Sequence, residues 1–176
     1  SDIVAGIEYA TQKGADVINL SLGGYSDSIT LKTILATASE TAVVVGGAGN
    51  DNGETPFYPA AYEDYVLAVA STAISDTKAA TSNYGSWVDV SAPGEVITTT
   101  FDGSSYGASS GTSLSAPFAA GLAGLLKSQH PDWSANMIQA QIIQTADDIS
   151  ASNPSHEGKL GSGRLNAAQA ITTNAQ

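Results

Sequence analysis

Residues 17–50 read VINLSLGGYSDSITLKTILATASETAVVVGGAGN, and this stretch decides the fold class. Two short apolar runs, 17–22 and 42–45, flank a segment in which apolar residues recur at helical spacing. Such runs are typical of strands buried on both faces, and Ser26 or Ser28 is placed to cap the intervening helix. Parallel strands need a crossover of this kind. The stretch therefore predicts a strand–helix–strand unit of an α/β fold.

The alternation of helices and strands continues on both sides of this unit. The predicted helices cover 2–13, 112–129, 134–145 and a segment from Asn166, and the predicted strands cover 66–69, 87–90 and a hairpin of 95–100 with 105–108. This order implies a three-layer fold, with a mainly parallel sheet flanked by helices. No linker or repeat interrupts the chain, so we expect no domain boundary within residues 1–176.

Composition excludes several function classes. The chain has 176 residues and a formal net charge of −11, and its six Lys and Arg residues are scattered along the sequence. Phosphate backbones are bound by clustered basic side chains, so nucleic acid is excluded as a partner. No apolar run is long enough to span a membrane. The lack of cysteine excludes disulfides, thiolate catalysis and cysteine-based zinc sites.

Two glycine-rich loops follow the first two predicted strands, at the sheet edge where α/β proteins bind ligands. Ser21-Leu22-Gly23-Gly24 is either a flexible turn or a backbone that an extended peptide can approach closely. Gly46-Gly47-Ala48-Gly49-Asn50-Asp51 lacks the Lys-Ser/Thr of a phosphate-binding loop, which argues against a nucleotide-binding domain. Asn50 either adopts a left-handed turn conformation or points its amide N–H at a developing oxyanion.

A third candidate segment is Gly111-Thr112-Ser113-Leu114-Ser115-Ala116-Pro117, which leads into an apolar run over 118–126. Pro117 suits the first turn of a helix, where its missing N–H is not needed. One interpretation is that the serine or threonine caps this helix. The other is that Ser113 is a nucleophile, since a helix N-terminus favours developing negative charge.

Together the three segments resemble the subtilase (subtilisin-like serine protease, peptidase S8 type) family. Residues 16–24 resemble its substrate-binding strand, 48–50 its oxyanion-hole segment, and 111–117 its nucleophile signature. The resemblance covers essentially the whole chain, in order and spacing, as the C-terminal part of the catalytic domain. Further matching segments are Tyr58-Pro59-Ala60, 88–94, His130-Pro131-x-Trp133-Ser134 and Gly161-x-Gly163-x-Leu165-Asn166.

The resemblance implies a role for each segment. Ser113 would be the nucleophile of a serine endopeptidase that works through an acyl-enzyme, and Asn50 with the Ser113 N–H would hold the oxyanion. Phe57 would stand at the floor of the specificity pocket, where relatives have a small or polar residue, and would favour small substrate side chains. The other implied substrate-binding residues are Leu20, Ser21, Leu22, Gly23, Gly47, Ala48, Gly49 and Thr112.

The Asp and His of a catalytic triad are not found where the family places them. In subtilases both precede the serine, whereas the two histidines here, His130 and His156, follow Ser113. We therefore expect the chain alone to be inactive and its sheet to be incomplete at the N-terminal side. The expected partner is the N-terminal, Asp- and His-bearing part of the same domain, or a second copy. The alternative function is a non-catalytic peptide-binding fragment or pseudoprotease module.

The implied chemistry needs no cofactor. Some relatives bind a structural Ca²⁺ at the positions of Asp89 and the carbonyls near Ala60, Tyr62 and Tyr65, although a lone carboxylate better suits a buried, hydrogen-bonded Asp. The substrate would be a polypeptide, and an inhibitory propeptide is a further expected partner. The acidic composition fits a secreted, extracellular enzyme.

Overall fold

The structure is a computed structural model that describes residues 2–173. Among these residues, no helix is both long and apolar enough to cross a membrane. The helices and strands follow the order α1 (Asp2–Gln12), β1 (Val17–Leu20), α2 (Ile29–Ser39), β2 (Val43–Gly47), β3 (Leu67–Thr72), β4 (Val90–Pro93), β5 (Ile97–Phe101), β6 (Ser105–Ser109), α3 (Thr112–Gln129), α4 (Ala135–Gln144) and α5 (Ala167–Thr172). Two 3-10 turns, Ser150–Ser152 and Pro154–His156, lie between α4 and α5.

The main sheet has four parallel strands in the spatial order β1-β2-β3-β4. Val17 pairs with Val43, Val45 with Leu67, and Val69 with Val90. Strands β5 and β6 form a separate antiparallel hairpin, as the Asp102-Gly103 turn predicts. The prediction of a mainly parallel sheet is confirmed.

Helices cover both faces of this sheet, which confirms the three layers. Strand β2 is buried along its whole length, and its side chains alternate between the two faces. Val43 and Val45 pack in the cluster that holds α3 and α4. Val44 packs in the opposite cluster with Ile7 of α1 and Leu35 of α2. A strand that is covered on both faces has an uninterrupted run of apolar residues, and this run is why β2 could be predicted from the sequence.

Polar side chains fix where three of the helices begin. The hydroxyl of Ser28 accepts a hydrogen bond from the N–H of Leu31, so Ser28, not Ser26, caps α2. Ser134 caps α4 and Asn166 caps α5 in the same way, because each side chain accepts a hydrogen bond from the backbone N–H three residues later. Each cap pairs one of the backbone N–H groups that a helix start leaves open.

Two predicted strands differ from the structure. Strand β1 ends at Leu20, and its burial alternates, with Asn19 exposed. Among the described residues β1 is an edge strand, and Asn19 is its one exposed residue. Strand β4 begins at Val90, not at Trp87, because Val88 closes a turn onto the carbonyl of Gly85. Trp87 is buried beside that turn, and its indole N–H donates to the Glu54 carbonyl. Trp87 is therefore buried by a turn and a side-chain hydrogen bond, and not because it lies in a strand of the sheet.

Candidate active site

The three segments singled out in the sequence meet at the carboxyl edge of the sheet. Ser21 follows β1, Asn50 lies in the loop after β2, and Ser113 lies in the first turn of α3. The Ser21 hydroxyl donates to the Ser113 carbonyl at 2.9 Å, and the Ser113 hydroxyl lies 3.4 Å from the Ser21 carbonyl. Parallel strands bring these loops together because all their carboxyl ends share one edge.

Asn50 is joined directly to the serine segment. Its Oδ1 accepts a 2.8 Å hydrogen bond from the backbone N–H of Thr112, the first residue of α3. Among the hydrogen bonds of the described residues, none uses the Nδ2 of Asn50 as donor. The amide therefore caps the helix with its oxygen, and its two N–H groups are left without a hydrogen-bond acceptor among the described residues.

Thr112 provides a second link between the same two segments. Its Oγ1 accepts a 3.0 Å hydrogen bond from the N–H of Gly49. A Cβ at Gly47 would lie 3.0 Å from both the Oγ1 and the carbonyl oxygen of Thr112, and a Cβ at Gly111 would lie 3.3 Å from the Oδ1 of Asn50. These glycines allow an approach between backbone and side chains that larger residues would hinder.

The hydroxyl of Ser113 does not cap the helix. The N-cap of α3 is Gly111, at φ 148, and no side chain of the cap residue takes part. Ser113 is exposed, and its hydroxyl lies at the positive end of an 18-residue helix. Of the two interpretations that the sequence left open, the structure favours an available hydroxyl.

Phe57 fills the space between the two glycine-rich loops. A Cβ at Gly23 would collide with the Cε1 of Phe57, and a Cβ at Gly49 would lie 3.0 Å from its Cγ. The ring also meets Tyr25 edge-on, with 5.2 Å between centroids. Of the other residues implied to bind substrate, Leu20 is the buried end of β1, Leu22 is exposed and Ala48 is buried.

Neither histidine forms a hydrogen bond with the Ser113 hydroxyl, whose partner among the described residues is the Ser21 carbonyl. His130 caps the C-terminus of α3, about 25 Å along the helix from Ser113 at 1.5 Å per residue. Its ring stacks on Trp133 at 3.8 Å. His156 packs edge-on against Tyr84 at 4.6 Å, where burial, followed by the charges of Lys78 and Lys159, lowers its pKa.

Asp89 is largely buried, and its Oδ2 accepts a 2.7 Å hydrogen bond from the Ala68 N–H. Burial raises the pKa of this carboxyl to about 6, against the opposing effect of that N–H. The Tyr62 carbonyl already accepts from the N–H groups of Tyr65 and Val66. The described residues hold no group of three or more His, Cys, Asp or Glu side chains that could bind a metal. A cation here would therefore depend on Asp89 and backbone carbonyls.

Asn83 is a further residue that shapes the site, although its sequence surroundings do not indicate it. It lies between β3 and β4 and is fully buried, with hydrogen bonds to residues on both sides of Asn50. An asparagine beside a glycine-containing loop reads as an ordinary turn residue, and only the tertiary contacts distinguish it.

The sequence matches a known protein family along most of its length. The model of the Subtilase family, Peptidase_S8, matches residues 1–169. The chain is 44% identical over 174 residues to the thermophilic serine proteinase of Bacillus sp. (strain AK1), an alignment that covers 98% of this chain and 41% of that protein. It is also 44% identical over 170 residues to thermitase of Thermoactinomyces vulgaris, covering 96% of this chain and 58% of that protein.

Solved structures give the same result. A protease from Pseudoalteromonas arctica superposes with a TM-score of 0.85 at 35% identity, over 97% of this chain and 57% of that one. A cold-adapted subtilisin-like serine proteinase superposes with a TM-score of 0.85 at 27% identity, over 94% of this chain and 60% of that one. The chain thus spans about two fifths to three fifths of the length of these relatives.

Proposed function

The chain belongs to the subtilase family, and we propose from this premise that it supplies the nucleophile, the oxyanion hole and the substrate-binding strands of a serine endopeptidase. One observation carries the proposal. The Thr112–Asn50 hydrogen bond places an amide with unused N–H groups beside the exposed Ser113 hydroxyl. A protein that only bound peptides would need neither group.

In the proposed reaction the Oγ of Ser113 attacks the carbonyl carbon of the scissile peptide bond while a base takes its proton. The carbonyl oxygen becomes negative and accepts hydrogen bonds from Asn50 Nδ2 and the Ser113 N–H. The same base then protonates the leaving amine, and the peptide remains as an ester on Ser113. Water attacks that ester in the second half-reaction and regenerates the hydroxyl. No cofactor takes part in either step.

We infer that the base comes from outside residues 2–173, because neither histidine forms a hydrogen bond with the Ser113 hydroxyl. We propose a partner that carries the Asp and His: the N-terminal part of the same protease domain, or a second copy. Strand β1 has no neighbour on its outer side among residues 2–173. Leu125 and Phe118 of α3 are 56% and 48% exposed. An open strand edge and exposed apolar side chains are surfaces that a partner covers.

The polypeptide substrate would lie between the loops at Ser21–Gly23 and Gly47–Gly49, as an added strand whose backbone pairs with theirs. The side chain before the scissile bond would then point at Phe57. Because that ring already occupies the space between Gly23 and Gly49, we propose that the enzyme prefers a small residue, such as alanine or glycine, before the cleaved bond.

Two further expectations stay proposals. An inhibitory propeptide would occupy the same loops as the substrate. Secretion is supported by the similarity to subtilisins and by the net charge of −11. Extracellular fractionation of the source cells tests it.

A fluorophosphonate probe tests the proposed function. The chain is incubated with the probe together with the Asp- and His-bearing segment, and its intact mass is measured. We expect an adduct that maps to Ser113, absent from Ser113→Ala and retained in Ser128→Ala, an exposed serine at the far end of α3. No adduct on a folded assembly would favour the alternative, a non-catalytic peptide-binding module. Native mass spectrometry of the same sample identifies the partner as the N-terminal segment or a second copy.

A further inference from the structure

Asn83 uses both ends of its buried side-chain amide to hold the loop that carries Asn50. Its Oδ1 accepts hydrogen bonds from the N–H groups of Asp51 and Gly53, at 2.9 and 3.0 Å. Its Nδ2 donates to the Ala48 carbonyl at 3.0 Å. The amide therefore forms hydrogen bonds with the chain on both sides of Asn50.

The backbone of Asn83 and of the next residue forms further hydrogen bonds with the same loop. The Asn83 N–H donates to the Gly49 carbonyl at 2.9 Å, and the neighbouring Tyr84 N–H donates to the Gly53 carbonyl at 3.0 Å. Gly49 has φ 100, and a Cβ there would collide with the Nδ2 of Asn83. The two loops thus fit together with no room for a side chain at that position.

Asn83 also connects this loop with the space that Phe57 occupies. Its Nδ2 lies 3.3 Å from the Tyr25 hydroxyl, and that hydroxyl donates to Asp51 at 2.7 Å. The Tyr25 ring packs edge-on against Phe57. One buried amide therefore touches both the loop of the oxyanion donor and the wall of the substrate space.

We propose that Asn83 is a positioning residue that fixes Asn50 in the geometry needed to stabilise the oxyanion. The inference rests on the proposed function, because it assigns Asn83 to act through Asn50. An oxyanion donor is useful only within hydrogen-bond distance of where the negative charge develops. A loop restrained at residues 48, 49, 51 and 53 holds the donor there before the substrate arrives.

A matched control is available within the chain. Gln141 of α4 also has a buried side-chain amide, and its Nε2 donates to the backbone carbonyls of Ala170 and Thr173 at the contact between α4 and α5. Asn83→Ala and Gln141→Ala both remove a buried amide from its hydrogen bonds. Only the first should affect Asn50.

The test uses the chain assembled with its Asp- and His-bearing segment, with rates normalised to sites titrated by the fluorophosphonate probe. We expect Asn83→Ala to lower kcat about 10- to 100-fold with KM within twofold, since a donor displaced by about 1 Å loses its transition-state contact. Gln141→Ala should keep the normalised kcat. The double variant Asn83→Ala/Asn50→Ala should be no slower than Asn50→Ala alone. A normal kcat in Asn83→Ala, or additive losses in the double variant, would overturn the inference.

Hydrogen exchange on the same assembly keeps the inference separate from the proposed function. We expect Asn83→Ala to speed exchange of the amides in residues 48–53, and Gln141→Ala to speed exchange in α5 instead. If the wild-type assembly has no peptidase activity, the proposed function fails, and the exchange data still show whether Asn83 restrains the loop. Unchanged exchange over 48–53 would refute the positioning role whatever the activity.

Discussion

The backbone N–H of Thr112 donates a 2.8 Å hydrogen bond to the side-chain oxygen of Asn50, which lies 62 residues earlier in the chain. The bond satisfies an N–H that the start of α3 leaves open, and it fixes which end of the Asn50 amide faces the serine segment. The oxygen of this side chain thus caps the helix, and in the proposed function its nitrogen would donate to the oxyanion.

Replacement of Asn50 should therefore reduce turnover. Removal of one such donor from a subtilisin lowers kcat by roughly 10²- to 10³-fold, and we adopt that range for Asn50→Ala in the assembled enzyme because the chain belongs to the same family. KM should change little, since the ground-state carbonyl gains less from the donor. Asn50→Asp keeps the oxygen that accepts from Thr112 but places negative charge beside the oxyanion, so its kcat should be at least as low. Steady-state kinetics on a peptide substrate measures both, and an active Asn50→Asp would contradict the assignment.

Phe57→Ala should widen substrate preference. Removing the ring opens the space between Gly23 and Gly49. The substrates are peptides that differ only in the residue before the scissile bond. We expect the ratio of kcat/KM for phenylalanine over kcat/KM for alanine to rise at least tenfold. The reason is that each methylene that a pocket accommodates is worth about 1 to 3 kcal/mol, which corresponds to about 10- to 200-fold. Phe101→Ala, which removes a half-exposed ring from the β5–β6 hairpin, serves as the control. A wild-type enzyme that cleaves best after phenylalanine or tyrosine would disprove the preference.

Gly49→Ala should destabilise the fold. The residue has φ 100, and its Cβ would collide with Asn83 and press on Phe57. Strain and overpacking together should cost about 2–4 kcal/mol in the free energy of unfolding. Gly6→Ala is the matched control, because Gly6 lies on the exposed side of α1 with open space around it, and alanine there should stabilise by about 0.5–1 kcal/mol. Urea unfolding followed by circular dichroism measures both, and equal effects would contradict the close packing at Gly49.

The Asp147–Arg164 ion pair should make stability depend on pH in the acid range. Hydrogen bonding from Asn166, together with Arg164, lowers the pKa of Asp147. A lowered pKa in the folded state means that the stabilisation is present above the unfolded value, near 4, and is lost as the pH falls through the folded value. We expect Asp147→Asn to lower the free energy of unfolding by about 1 kcal/mol or less at pH 7, because the pair is about one-third exposed, and by less at pH 3. The same deficit at both values would show that the charge of Asp147 does not contribute.

Calcium dependence can be tested at Asp89. If its carboxylate and the carbonyls of Ala60, Tyr62 and Tyr65 bind Ca²⁺, millimolar Ca²⁺ should raise the Tm of the wild-type assembly by mass action and leave Asp89→Asn unchanged. Differential scanning calorimetry with and without a chelator measures the shift. An equal shift in both proteins would place any bound cation elsewhere, and no shift would leave Asp89 as a buried carboxyl bonded to Ala68.

The elements that the sequence predicted well are those in which local pattern and tertiary environment agree. Val43, Val44 and Val45 form an unbroken apolar run because helices cover both faces of β2, and Ser28 and Ser134 mark helix starts through bonds only three residues long. Predictions failed where contacts with residues distant in sequence determine the local structure. Trp87 is buried by a turn and an indole bond to Glu54, and Asn19 is exposed although it lies in a strand that was predicted to be buried on both faces.

The same division holds for the site. The sequence by itself determined the α/β order, the family and the chemical groups, because glycine spacing, Asn50 and the Ser113 motif are local features of the chain. Only the tertiary structure decided that the Asn50 amide caps α3, that the Ser113 hydroxyl does not, that Phe57 fills the space between Gly23 and Gly49, and that Asn83 restrains the loop. Those facts depend on contacts between residues that are far apart in sequence. Such contacts form only when the sheet brings the ends of its strands to one edge.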